Sequence, residues 1–175
     1  MKAFTFDPQR RLLLSAGGGL MLTAALLPRA QAAGDEVEIA LSGTPNGSEV
    51  WFRPRGLLIR PGQTVRWVNQ DAGNVHTATA YHPDNGKPRR IPEAARSWNS
   101  DYLMPGKSFA ITFDVPGVYD YFCIPHEHAG MVGRIIVGTA DAAVAPYTDT
   151  DAKLPKAALD HFPSVAEILK GKPIS

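Results

Sequence analysis

One segment of the chain reads Cys123-Ile124-Pro125-His126-Glu127-His128-Ala129-Gly130-Met131. It contains the only cysteine of the 175 residues, with a histidine three positions later and a methionine eight positions later. A thiolate, an imidazole and a thioether on one short loop suit copper, and a blue-copper site needs one further imidazole. The upstream candidate for that imidazole is His76. The segment therefore predicts a copper site, provided that the fold brings residue 76 to this loop.

The sequence on both sides of this loop has the pattern of β-strands. Val118 to Phe122 runs into Cys123, and Met131 opens an apolar run that ends at Val137. Further short runs rich in β-branched and aromatic residues, separated by Gly/Pro turns, lie at 37–41, 50–52, 64–69, 75–81 and 109–113. No helix of ordinary length is predicted before residue 155. Many short strands with regular turns predict an all-β sandwich or barrel.

Residues 82–100 are rich in proline and charge and are predicted to form a long surface loop. Within it, Arg89-Arg90 is interpreted as a solvated charge pair, with an electrostatic docking patch as the alternative. After Gly138, the composition changes. Phe162, Val165 and Leu169 fall on one helical face, which predicts a short amphipathic helix that caps the sandwich or docks a partner.

The N-terminus has the pattern of an export signal. Arg10-Arg11 precede an apolar run from Leu12 to Leu27, and Ala30-Gln31-Ala32 is a small-residue cleavage site. The arginine pair favours a twin-arginine signal over an ordinary secretory one. An uncleaved anchor is less favoured, because a spanning helix needs about 20 apolar residues. We expect a signal peptide at 1–32, one domain at 33–139 and an extension at 140–175, in a periplasmic protein with no stable membrane insertion.

Charge and cysteine content narrow the function classes. Removing residues 1–32 takes away four basic residues and one acidic residue, so the formal charge moves from +1 to −2. A nearly neutral chain argues against a nucleic-acid partner. One cysteine excludes an internal disulfide. In an exported protein a lone cysteine is either a free thiol at risk of oxidation or a metal ligand, and the metal ligand is the simpler explanation. We expect a monomer.

Several motifs resemble those of the cupredoxins, in the plastocyanin/pseudoazurin branch. They are the segments Tyr121-Phe122-Cys123-Ile124-Pro125-His126, Gly130-Met131-Val132-Gly133, Pro116-Gly117-Val118-Tyr119 and Arg60 to Asn69. The resemblance covers roughly residues 36–139. It implies a Greek-key β-sandwich with one type 1 copper ion held by His76, Cys123, His126 and Met131.

The resemblance also implies a one-electron carrier rather than an enzyme, exchanging electrons with a c-type cytochrome or a terminal reductase or oxidase. Pro125, Ala129 and Gly130 would surround the exposed edge of His126 as a contact face for that partner. The chain departs from the family at Thr77, where the residue after the first histidine is often asparagine. The side chain of threonine is shorter than that of asparagine, so we expect its hydroxyl to form a weaker bridge between the segment at His76 and the segment that begins at Cys123.

Three other interpretations stay open. A Cys-x-x-His-x-His run that includes His128 could bind zinc, but zinc would leave Met131 without a role. A copper enzyme would need an open coordination position. A copper storage or delivery protein would be expected to have many Met, Cys or His residues in mobile segments. This chain does not have that pattern, since it contains five histidines and one cysteine.

Overall fold

The computed structural model describes residues 36–141, 144–148 and 150–175, and its framework is eight strands in two four-stranded sheets. The predicted signal peptide lies outside the described residues. The strands are β1 (Glu36–Gly43), β2 (Val50–Arg53), β3 (Gly56–Ile59), β4 (Gln63–Asn69), β5 (Thr79–Ala80), β6 (Ser108–Phe113), β7 (Gly117–Phe122) and β8 (Val132–Val137).

The two sheets have the strand orders β2-β1-β4-β6 and β3-β8-β7-β5. β1 pairs parallel with β4, and β3 pairs parallel with β8, whereas the other pairs are antiparallel. The expected all-β sandwich is therefore confirmed. The core between the sheets includes Ile39, Val65, Trp67 and Ile135, none of which has solvent exposure. Burial of their apolar surface is the main force that holds the sheets together.

Strand pairing brings the two predicted ligand segments together. β7 and β8 form a hairpin in which Phe122 pairs with Val132, so residues 123–131 turn at one pole of the sandwich. Thr79 pairs with the same Phe122, which places residues 76–78 beside residue 123. The strand predicted for 75–81 is shorter than expected, because His76 instead forms an isolated bridge with Leu103.

The C-terminal extension covers the outer face of the second sheet. It forms two short helices, α1 (Lys156–His161) and α2 (Val165–Ile168), where one helix was expected. Ser164 begins α2 by accepting a hydrogen bond from the backbone N–H of Glu167, so the chain restarts a helix after Pro163. Every residue of β8 is consequently buried. Within the described residues, no helix is long and apolar enough to cross a bilayer.

A buried ion cluster fastens this extension to the sandwich. Asp120 of β7 accepts hydrogen bonds from Arg90 at 2.9 Å and from Arg134 of β8 at 2.6 and 2.9 Å. Both guanidinium groups lie over the ring of Phe162, at 5.1 and 4.9 Å from its centroid. Arg90 also pairs with Asp151 of the extension at 2.7 Å.

The interpretation of Arg90 as a solvated charge was therefore wrong, since only 1% of the residue is exposed. The loop at 82–100 is likewise not a pure surface excursion, because Ile91 and Trp98 contribute to the core. The two cases have different physical reasons. Arg90 is buried because the extension covers it and pairs with it through Asp151, whereas Ile91 and Trp98 are buried because they pack into the core between the sheets.

Candidate metal centre

Three of the predicted ligands meet at one pole of the sandwich. Sγ of Cys123 lies 3.7 Å from Nδ1 of His76 and 3.4 Å from Nδ1 of His126. The three donor atoms all lie within 4.8 Å of one another. Cys123 and His76 have no solvent exposure, whereas His126 is half-buried.

These separations fit donors that share one metal ion. Metal bonds to imidazole nitrogen and thiolate sulfur are about 2.0–2.3 Å long. Three coplanar donors, each about 2.1 Å from a common centre, would lie about 3.6 Å apart. The distance from the Cys123 sulfur to His126 Nδ1, 3.4 Å, lies just below that value, and the distance to His76 Nδ1, 3.7 Å, lies just above it. Two imidazoles and one thiolate are also the in-plane donor set that type 1 copper requires.

Residues 123–131, here called the ligand loop because they include three of the predicted ligands, form a loop closed by its own backbone. The N–H of Cys123 donates to the carbonyl of Met131 at 3.0 Å, and the N–H of Met131 donates to the carbonyl of His126 at 3.1 Å. Between them, Ile124–Ala129 form a 3₁₀ helix. Met131 is fully buried and belongs to the same apolar cluster as Cys123. Met131 therefore lies in the protein interior at the end of this loop.

Gly130 ends the 3₁₀ helix in the left-handed region, with φ of 81°. A Cβ atom there would lie 2.6 Å from Nδ1 of His161 and 3.0 Å from the carbonyl oxygen of Ala157. Helix α1 thus packs directly on the ligand loop, and only glycine suits this position. Gly130 is buried, so the expectation that it forms part of an exposed contact face was wrong.

The ionisation state of the donors suits metal binding. Burial lowers the pKa of His76 and of His126 below the ordinary value, so both imidazoles are neutral near pH 7. Burial raises the pKa of the Cys123 thiol to about 11, although hydrogen bonds from Thr77 and His126 act in the opposite direction. A metal that binds the thiolate therefore displaces the thiol proton.

Thr77 joins the two ligand segments. Its hydroxyl oxygen accepts a hydrogen bond from the backbone N–H of Ile124 at 2.8 Å, and its own backbone N–H donates to Sγ of Cys123 at 3.3 Å. The hydroxyl of Thr79 in turn donates to the Thr77 hydroxyl at 2.9 Å. The bridge that asparagine often provides is therefore present here with a threonine. Donors aimed at a ligand sulfur tune the metal that it binds.

A Thr77→Val variant should lose this bridge, because it leaves the N–H of Ile124 without its acceptor. Removing one partner of such a bond costs about 1–3 kcal/mol. Urea unfolding of the metal-free protein measures the change. The control is Thr112→Val, at an exposed hydroxyl pair with Thr64, which should cost at most about 0.5 kcal/mol. Equal effects of the two substitutions would contradict the bridging role.

Two carboxylates at the site were missed by the sequence interpretation. Glu127 lies on the ligand loop yet is buried, where it accepts a hydrogen bond from the Tyr81 hydroxyl at 2.9 Å and pairs with Lys87. Asp71 follows β4 and lies 3.1 Å from Nε2 of His76. Burial opposes its ionisation, but hydrogen bonds from neighbouring groups outweigh burial and lower the pKa of Asp71 to about 2. Only the position of Asp71, five residues before a predicted ligand, hinted at its role.

His128 takes no part in the cluster. Its side chain is exposed, and the group of clustered donors found among the described residues consists of His76, Cys123 and His126. The zinc interpretation needed His128 as a further nitrogen ligand. The arrangement favours the copper set, in which Met131 has a role.

Comparisons with known proteins agree with this site. A family model described as copper binding proteins, plastocyanin/azurin family, matches residues 37–138. A chloroplastic plastocyanin of Tetradesmus obliquus is 39% identical over 127 residues, which cover 66% of this chain and 84% of that protein. A pseudoazurin of Methylorubrum extorquens is 30% identical over 131 residues, which cover 73% of this chain and 77% of that protein.

A solved structure of a pseudoazurin from Sinorhizobium superposes with a TM-score of 0.52 at 26% identity, covering 77% of this chain and 94% of that one. The segment matched by the family model spans more than half of the chain and contains all eight strands except the first residue of β1. It also contains the three clustered donors and Met131. The chain therefore belongs to the plastocyanin/azurin family of copper-binding proteins, the cupredoxins, and its cofactor is a single type 1 copper ion.

Proposed function

We propose that the mature protein is a monomeric one-electron carrier whose copper is held by His76, Cys123, His126 and Met131. The observation that carries the proposal is the position of the buried Cys123 sulfur, 3.4 and 3.7 Å from two imidazole nitrogens. Copper bound there would supply reversible one-electron chemistry between Cu(I) and Cu(II). The protein's task is to hold the four side chains in one arrangement that suits both oxidation states.

The surroundings of the donors support electron transfer rather than catalysis. Cys123, His76 and Met131 are fully buried, so three of the four proposed ligands are shielded from water and from small molecules. Backbone hydrogen bonds close the ligand loop, and helix α1 packs against it at Gly130. Four protein ligands in an enclosed site would leave no position for a substrate. A copper enzyme would need such an open position.

His126 is the proposed entry point for the electron. It is the half-buried member of the set, and its loop neighbours Pro125 and Ala129 are exposed. Ile124 is 40% exposed and extends this apolar surface. A face of this kind suits brief contact with another redox protein, for which we propose a c-type cytochrome or a terminal reductase or oxidase. Weak redox encounters between proteins typically use small interfaces.

We further propose that this carrier works in the periplasm. Residues 1–32 would direct export through the twin-arginine route and be removed near Ala32, leaving a domain at 33–139 and the extension at 140–175. The sequence features of Arg10-Arg11 and the small-residue cleavage site support this proposal. N-terminal sequencing of the exported protein should give a chain that starts near Ala33, and recovery of the full-length chain in the cytoplasm alone would contradict it.

The test of function uses the mature protein with Cu(II). One equivalent should produce an intense blue thiolate-to-copper absorption, which a reductant bleaches and an oxidant restores. Reduced protein should then pass one electron to an oxidised c-type cytochrome. Rapid loss of Cu(I) to a chelator would favour a delivery protein, and turnover of a small substrate would favour an enzyme. Either result, without reversible bleaching, would overturn the proposal.

A further inference from the structure

The far side of the His76 ring faces a carboxylate. Asp71 lies in the loop that follows β4, and its Oδ2 is 3.1 Å from Nε2 of His76. Asp71 is only 7% exposed, and His76 has no exposure. Water therefore does not compete for this contact. The ring is held between the carboxylate on one side and the Cys123 sulfur on the other.

This contact decides which ring nitrogen carries the proton. A neutral imidazole has one N–H and one lone pair. Nδ1 of His76 faces Sγ of Cys123, so it must present its lone pair to a metal at the site. The proton then resides on Nε2, which donates it to Oδ2 of Asp71. A carboxylate acceptor at this position fixes both the tautomer and the orientation of a ligating histidine.

Asp71 is itself held in place by the loop around it. Oδ1 accepts a hydrogen bond from the backbone N–H of Gly73 at 2.9 Å, and Oδ2 accepts one from the side chain of Asn74 at 3.1 Å. Its own N–H donates to Oδ1 of Asn69 at 2.9 Å. Gly43 on β1 leaves room for it, because a Cβ atom there would lie 2.5 Å from Oδ2. The carboxylate is thus positioned before any metal binds.

We propose that Asp71 is a positioning residue that makes His76 a stronger donor and thereby favours Cu(II) over Cu(I), which lowers the reduction potential of the site. The inference rests on the proposed ligand set. Its physical basis is that an anionic acceptor on Nε2 increases the basicity of Nδ1. A more basic ligand stabilises the more highly charged ion more strongly, because the electrostatic attraction grows with charge.

The test is an Asp71→Asn variant, which keeps the size of the side chain and an oxygen acceptor but removes the charge. Loss of such a carboxylate typically costs about 10–100-fold in metal affinity. Cu(II) affinity should fall by that range and Cu(I) affinity by less. Each tenfold fall in the ratio of Cu(II) affinity to Cu(I) affinity raises the midpoint potential by about 59 mV. Cyclic voltammetry of the wild type and the variant measures the difference.

A matched control separates the general effect of lost charge from the proposed one. Asp114→Asn makes the same charge change at an exposed position after β6, at the opposite pole, where Phe113 pairs with Gln63 at the start of β4. It should change the affinity ratio less than twofold. A shift in this control as large as in Asp71→Asn, or no shift in Asp71→Asn, would overturn the proposal.

A second measurement needs neither copper nor the variant. Nitrogen-15 NMR of the metal-free wild type should show His76 protonated at Nε2 and unprotonated at Nδ1, and a proton on Nδ1 would overturn the inference. These results are distinguishable from failure of the proposed function. A wild type without the blue absorption contradicts the function, whereas a blue Asp71→Asn protein with unchanged potential contradicts only the role of Asp71.

Discussion

A Cys123→Ser variant is expected to lose the intense blue absorption completely. The absorption requires charge transfer from a thiolate, and this is the only cysteine of the chain. Serine is also a poor replacement as a ligand, because its hydroxyl is harder and far less acidic than a thiol. Loss of a hydrogen-bond partner of a metal ligand already costs about 10–100-fold in metal affinity, so loss of the proposed ligand Cys123 itself should cost more than about 100-fold. Optical titration with Cu(II) measures both effects.

His128→Ala is the matched control for this experiment. His128 lies on the same loop, but its side chain is exposed and outside the donor cluster. It should therefore keep the absorption and bind copper as the wild type does. An intense band that persists in Cys123→Ser would show that the thiolate is not the ligand. Loss of the band in His128→Ala would show that His128 is a ligand, contrary to the proposed set.

An Asp120→Asn variant is expected to be the most destabilising single substitution among those proposed. Asp120 has no exposure and bridges Arg90 and Arg134, which are themselves buried. Removing its charge leaves two guanidinium groups in the interior with less compensation. Breaking a buried ion pair in this way costs about 3–5 kcal/mol. Urea unfolding should be followed on the metal-free protein, because bound metal would stabilise the native state by mass action.

Asp160→Asn provides the comparison on the surface of the same extension. Asp160 pairs with Lys156 one turn earlier in helix α1, and both side chains are more than half exposed. Exposed pairs at this spacing contribute about 0.3–0.5 kcal/mol. If Asp120→Asn cost no more than Asp160→Asn, the ion cluster would not be what fastens the extension to the sandwich.

The ligand loop could be predicted from the sequence because its spacing is local. Cys123 directly follows one strand and Met131 directly precedes the next, so a segment of only nine residues limits where the side chains can lie. The strands were also recognisable, since alternation with period two marks a half-buried strand. His76 was harder, because its place depends on the pairing of Thr79 with Phe122 across the sheet.

Features that depend on distant contacts could not be predicted. Arg90 resembles any charged loop residue until the extension folds over it and brings Asp151 to its side chain. Glu127 resembles a solvated acid until Tyr81 and Lys87 reach it. The reach of the Thr77 hydroxyl likewise depends on how closely two loops approach. In each case a polar side chain is buried only because a partner far along the chain satisfies it.

X-ray absorption spectroscopy at the copper edge reports the atoms bound to the ion and therefore tests the proposed ligand set without intermediate steps. For the oxidised mature protein, we expect one short copper–sulfur bond, two copper–nitrogen bonds and a longer sulfur contact. They correspond to Cys123, to His76 and His126, and to Met131. A Met131→Leu variant should lose only the longer contact. A copper ion surrounded by nitrogen and oxygen alone, with no short bond to sulfur, would rule out Cys123 as a ligand and with it the type 1 site.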